Sequence, residues 1–153
     1  MTTTPEARTL KIKTSLARQM AQPGGRTLAD VERRANDRLG RHKAEVMAEI
    51  EAAVAGLEGL CAARPDAPAA EVYRLASRVL DLAGFFDTGP LYEAGYSLAD
   101  VADRMAAAGA WDWPPVLVHV QALRLILKAG CERNAATDHL LAGLKAVAIK
   151  ART

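Results

Sequence analysis

The stretch VYRLASRVLDLAGFFDTGPLYEAGYSL, Val72 to Leu98, decides the fold. It reads as two helices joined by a tight turn. Val72, Leu75, Ala76, Val79, Leu82, Ala83 and Phe86 recur at the three-four spacing of one helix face, which predicts a buried stripe. Beside it lies a second face of small or polar residues, Tyr73, Ser77, Asp81 and Gly84. A helix that buries one face and keeps small residues beside it lets a partner approach closely. Asp87-Thr88-Gly89-Pro90 is the expected turn, with Pro90 starting the next helix. Leu91, Ala94, Leu98, Val101, Ala102 and Met105 give that helix its own stripe, and Gly109 is its expected C-terminal cap.

Upstream, Arg64-Pro65-Asp66-Ala67-Pro68 breaks the chain. Asp66 is the expected cap of the Val72 helix, and Pro68 fits its first turn. Before the break runs a long helix. Thr27 is its expected start, and Leu28, Val31, Ala35, Leu39, Val46, Ile50, Val54, Leu57 and Cys61 repeat along one face to about Ala63. Such a helix is roughly 55 Å long at 1.5 Å per residue. Its charged front half is expected to project beyond the bundle or to pair with a second copy, and Gly40 to bend it. His42 falls on the apolar face and reads as a core or interface histidine.

Downstream, Trp111-Asp112-Trp113-Pro114-Pro115 opens another helix, with Asp112 as N-cap and the tryptophans closing one end of the core. Val116, Val120, Leu123 and Leu127 define its buried face, Leu117 its edge, and Arg124 faces water. Gly130 ends it. A last helix starts near Asn134 and uses Leu140, Leu141, Leu144, Val147 and Ala148. Short connections force antiparallel neighbours. The expected fold is therefore all-α: an antiparallel up-and-down bundle, residues 27–153, behind an arm of residues 1–26.

Composition agrees. The chain has 153 residues, half of them hydrophobic but only 5% aromatic, enough for a core without staples. The net charge of +2 is uneven. Residues 1–26 set Arg8, Lys11, Lys13, Arg18 and Arg26 against Glu6, so the basic excess lies in the arm and the body is mildly acidic. That arm reads as flexible and closes at Gln22-Pro23-Gly24-Gly25. Within it Lys11, Ile12, Lys13, Leu16 and Arg18 form a candidate linear motif for a partner groove. A basic tail on an acidic body is not a nucleic-acid-binding domain. No apolar run approaches 18 residues, so membrane insertion is not expected. Thr2 to Arg8 precede no apolar segment of the secretory kind, and Cys61 and Cys131 stand apart, as reduced thiols of a cytoplasmic protein would.

Catalytic patterns are missing from the sequence. There is no nucleophile elbow, P-loop, GxGxxG or HExxH. His42, His119 and His139 are isolated, and His119 reads as structural. Asp100 and Asp103 lack partners for acid-base work. Neither an enzyme, a metal nor a cofactor is expected.

Ala76 to Leu98 resembles the histidine phosphotransfer (Hpt) domain, in particular its alphaproteobacterial forms. Gly84, Phe86, Gly95, Ser97 and Leu98 match that family's pattern without a gap. Val118 to Leu127 looks like its last core helix, and the likeness spans about Pro68 to Leu127. The resemblance implies a four-helix core and a phosphoryl-accepting histidine at position 77, which here is Ser77. The family's basic residue is replaced by Leu80 and a glycine by Asp81. A serine without a base is a poor nucleophile. The lost cation and the added carboxylate both oppose a phosphoryl group. The basic arm, the long helix and the AGFF, YSLADVADR and WDWP segments also resemble small proteins of alphaproteobacterial chemotaxis operons.

The resemblance therefore implies a degenerate, non-catalytic Hpt-like module in two-component or chemotaxis signalling. It would dock a response-regulator receiver domain, or another signalling protein, on Tyr73, Ser77, Leu80, Asp81 and Gly84. The alternative is a structural, homodimerising helical scaffold.

Overall fold

The computed structural model describes residues 15, 18, 24, 27–86 and 88–151. Five helices follow one another: α1 (Leu28–Ala63), α2 (Ala69–Ala83), α3 (Gly89–Ala108), α4 (Trp113–Lys128) and α5 (Ala135–Lys150). The chain divides into two compact units, residues 1–39 and residues 40–153.

In the first unit, Thr27 Oγ1 accepts from the Asp30 amide at 3.2 Å and donates to the Asp30 carboxylate at 2.8 Å, the expected start of α1. Arg33 pairs with the same carboxylate. Leu28, Val31, Ala35 and Leu39 do not form a buried stripe: all four are exposed. Their repeat is diluted by charged neighbours, and burial along α1 begins only at Val46. Lys11, Ile12, Lys13 and Leu16 lie outside the described residues, and Arg18 is exposed.

The second unit is an antiparallel bundle. From α1 it uses Val46, Ile50, Ala53, Val54, Leu57 and Cys61, all buried. Gly56 lets α2 close in: a Cβ there would come within 3.1 Å of Leu75 Cδ1. Arg78 of α2 pairs with Glu49 of α1, and Arg124 of α4 grips Glu58 of α1 with two bonds of 2.8 and 2.7 Å. So α1 is tied by side chains to α2 and α4, while α3 packs on α2 and α4, and α5 leans on α3 and α4. Arg124 therefore does not simply face water; its fork finds a carboxylate within reach across the helix pair.

The stripe of Val72, Ala76, Val79, Leu82 and Ala83 is buried as expected, with Leu75 and Phe86 partly so. The boundaries differ. Pro68 occupies the N-cap position rather than the first turn and makes no side-chain cap, and Asp66 is exposed. Helix α2 stops at Ala83, because the buried Thr88 hydroxyl donates to the Ala83 carbonyl at 2.6 Å and turns the chain. Phe86, beyond that end, meets the ring of His42 at 6.1 Å. His42 is not a core residue: its side chain is 63% exposed and lies 3.9 Å from Glu45.

All six expected positions of the α3 stripe are buried, and Gly109 caps the helix at φ +62°. Asp112 is the N-cap of α4 by position but makes no side-chain cap bond, and the two prolines fill the first turn. Trp111 and Trp113 pack edge-to-face, 5.6 Å between ring centres, against the core. Asn134 starts α5 with a reciprocal cap: its side chain accepts from the Thr137 amide while Thr137 Oγ1 accepts from its own. Both cysteines are free and buried, and burial pushes their thiols up from the ordinary value. No helix among the described residues is long and apolar enough to cross a membrane.

Candidate functional site

Helix α2 presents its non-core side through Tyr73, Ser77, Asp81 and Gly84. Tyr73 is 47% exposed, Asp81 and Gly84 are exposed, and Ser77 is half-buried. The sequence pattern that buries Val72, Ala76, Val79 and Ala83 leaves these positions on the far side of the same helix. Leu80 differs. It is half-buried and turned to α3, where its side chain covers Gly95: a Cβ on Gly95 would lie 3.6 Å from Leu80 Cγ. It braces the face rather than projecting from it.

The Ser77 hydroxyl makes no hydrogen bond among the described residues. Each histidine is engaged or placed elsewhere. His42 meets Phe86, the buried His119 binds Ser97, and His139 lines the outer groove between α4 and α5. Asp81, one turn beyond Ser77, has no cationic partner among the described residues. The nearby guanidiniums are spent: Arg74 on Glu71 of its own helix, Arg78 on Glu49. The Glu71 carboxyl is held below, and the Arg74 guanidinium above, its ordinary pKa by their mutual hydrogen bonds. A serine hydroxyl with no base beside it is a weak nucleophile.

Sequence reasoning missed three further exposed aromatics on and before α3. Tyr92 and Tyr96 stand one turn apart on α3 and are 46% and 62% exposed, and Phe85 at the α2–α3 turn is 70% exposed. All three tyrosines of the chain thus lie at the surface of two adjacent helices. The i, i+4 spacing of Tyr92 and Tyr96, off the Leu91 stripe, was the available signal.

It also missed a polar link in the core. His119 is fully buried, with Nδ1 2.7 Å from the Pro115 carbonyl and Nε2 2.8 Å from Ser97 Oγ. A carbonyl only accepts, so Nδ1 carries the proton, Nε2 is the acceptor and the Ser97 hydroxyl donates. Burial pushes the imidazole pKa down, partly opposed by the Pro115 bond, and the Arg104 charge lowers it further. Ser97 and His119 are 22 residues apart, so no local pattern announces the pair.

Among the described residues no group of three or more His, Cys, Asp or Glu is placed to hold a metal ion. Comparison with known proteins finds no matching family model, no matching curated protein and no matching solved structure.

Proposed function

We propose that this chain is a non-catalytic, Hpt-like interaction module that docks the receiver domain of a response regulator, or another component of a chemotaxis pathway, in the cytoplasm. The docking face is the outer side of α2 at Tyr73, Ser77, Asp81 and Gly84, braced by Leu80. One observation carries the reading. The chain is a helical bundle in which Ser77, where the likeness calls for a histidine, has no base beside it, and Asp81 one turn on has no cationic partner among the described residues. Exposed tyrosines are the residue type that supplies buried anchors in interfaces. A partner held this way is sequestered from true phosphotransfer proteins and loses no phosphate to this one.

The test incubates the full chain with receiver domains carrying labelled phosphate and follows both binding and label. Binding without label on the chain is expected, lost on Ser77→Arg. Transfer of label to the chain overturns the non-catalytic reading. Binding that is indifferent to Ser77→Arg removes the docking face.

A further inference from the structure

A groove of about 430 Å³ runs between α3 and α5, away from the buried stripe of α2. Its size falls within the range of small-molecule sites, roughly 300–1,000 Å³, and like them it joins apolar walls to a few polar groups. Tyr92 and Tyr96 form one wall, with Leu141, Leu144 and Ile149 from α5 opposite. Leu141 and Leu144 are buried at its base, while Tyr96 and Ile149 are 62% and 60% exposed at its rim.

The charges sort themselves by pairing. Glu93 is neutralised by Arg133. Asp100 binds Arg104 at 2.7 Å, and the rest of that guanidinium is spent on the carbonyls of Asp100 and Ala148. Lys145 alone among the charged lining residues has no partner among the described residues. Ser97, also in the lining, commits its hydroxyl hydrogen to the bond with His119 and has only lone pairs left to offer the groove. Lone pairs repel a carboxylate, so an anionic head has one favourable place, at Lys145.

We infer that the α3–α5 groove binds an amphipathic carboxylate, its acyl chain laid along Tyr92, Tyr96, Leu141, Leu144 and Ile149 and its head on the Lys145 ammonium. The inference is independent of the proposed docking of α2. Affinity should grow by about fourfold for each methylene buried, until the groove is full.

The full chain is titrated with hexanoate, octanoate and decanoate below their micellar concentrations, and backbone and methyl NMR shifts are followed. Saturable shifts at Leu141, Leu144 and Ile149, tightening with chain length, are expected. Lys145→Glu should weaken decanoate at least tenfold, Lys145→Gln less, and Ile149→Ser severalfold. Leu125→Ser, on the other face of the α4–α5 pair, should change nothing. Helical circular dichroism confirms that each variant is folded. Shifts that do not saturate, that centre on Leu125 and Val118, or that match for decanol and decanoate overturn the assignment, as does indifference to Lys145→Glu.

Discussion

The Ser97 hydroxyl donates to the buried His119 Nε2 at 2.8 Å and so joins α3 to α4. The other ring nitrogen is satisfied on the Pro115 carbonyl, so the buried imidazole has both its bonds. Removing Ser97 leaves a fully buried acceptor unpaired, which costs about 1–3 kcal/mol. Ser97→Ala should therefore lower the unfolding free energy by that much, read as a lower urea midpoint with an unchanged slope. An unaltered midpoint would show that water replaces the hydroxyl. A double-mutant cycle with His119→Phe isolates the pair itself.

The same burial makes stability depend on pH. Burial holds the folded pKa of His119 below its ordinary value of 6.5, so the unfolded chain binds the extra proton as pH falls through 6.5. Stability then declines with falling pH until the folded pKa is reached, and this group contributes no slope above about pH 7. Denaturation at pH 7.5 and 5.5 should show a loss in the wild type that His119→Gln reduces. Carboxylates with ordinary values near 4.5 titrate below that window. Glu58, held low chiefly by its hydrogen bond to Arg124, adds its own loss only at more acid pH. Equal pH slopes in the two proteins would remove His119 as the cause.

The two-bonded pair of Arg124 and Glu58 ties α4 to α1, but Glu58 is 43% exposed. Solvent screening keeps such a pair near 0.2–1 kcal/mol. Arg124→Met should cost no more than about 1 kcal/mol in thermal or chemical unfolding, and salt should narrow the difference. A larger loss, insensitive to salt, would assign the effect to packing of the arginine stem.

Gly95 sits in the middle of α3, where a methyl group would meet Val79 and Leu80 at 3.5 Å and beyond, ordinary contact distances. Alanine there removes backbone freedom from the unfolded chain, so Gly95→Ala should stabilise by about 0.5–1 kcal/mol. Gly56→Ala is the contrast, since its Cβ would press Leu75 at 3.1 Å. It should gain less or lose. A loss of stability at Gly95 itself would show that α2 and α3 sit closer than these distances.

On the proposed reading, Ser77→His with Leu80→Lys and Asp81→Gly restores the nucleophile, supplies the cation and removes the opposing carboxylate. The triple variant should take label from a phosphorylated receiver domain, whereas Ser77→His alone should take little. Failure of the triple variant to bind label while still binding the receiver would show that the face differs from a phosphotransfer site in more than these three residues.

The helices and most of the buried stripes were legible from periodicity, because an apolar residue every three or four positions has only one face to bury. Val72, Ala76 and Val79, and Leu91, Ala94 and Leu98, behave that way. The same rule fails at Leu28, Val31 and Leu39, which repeat with the right spacing yet stay exposed. Periodicity says which residues share a face and is silent on whether anything covers it. The candidate face was half legible. Tyr73, Ser77 and Asp81 follow from being off the stripe, but whether a base stands near Ser77 depends on where three distant histidines come to rest.

The sequence by itself determined an all-helical chain, its breaks at Pro65–Pro68, Gly109 and Gly130, and the residues that face the core, since these depend on local propensity and spacing. Only the tertiary structure decided the pairs that matter beyond one helix: Ser97 with His119, Arg124 with Glu58, Leu80 over Gly95, and Lys145 left without a carboxylate. The three pairs join residues that chain order separates, and distance in space, not along the chain, sets whether a charge is paired or a hydroxyl has a base.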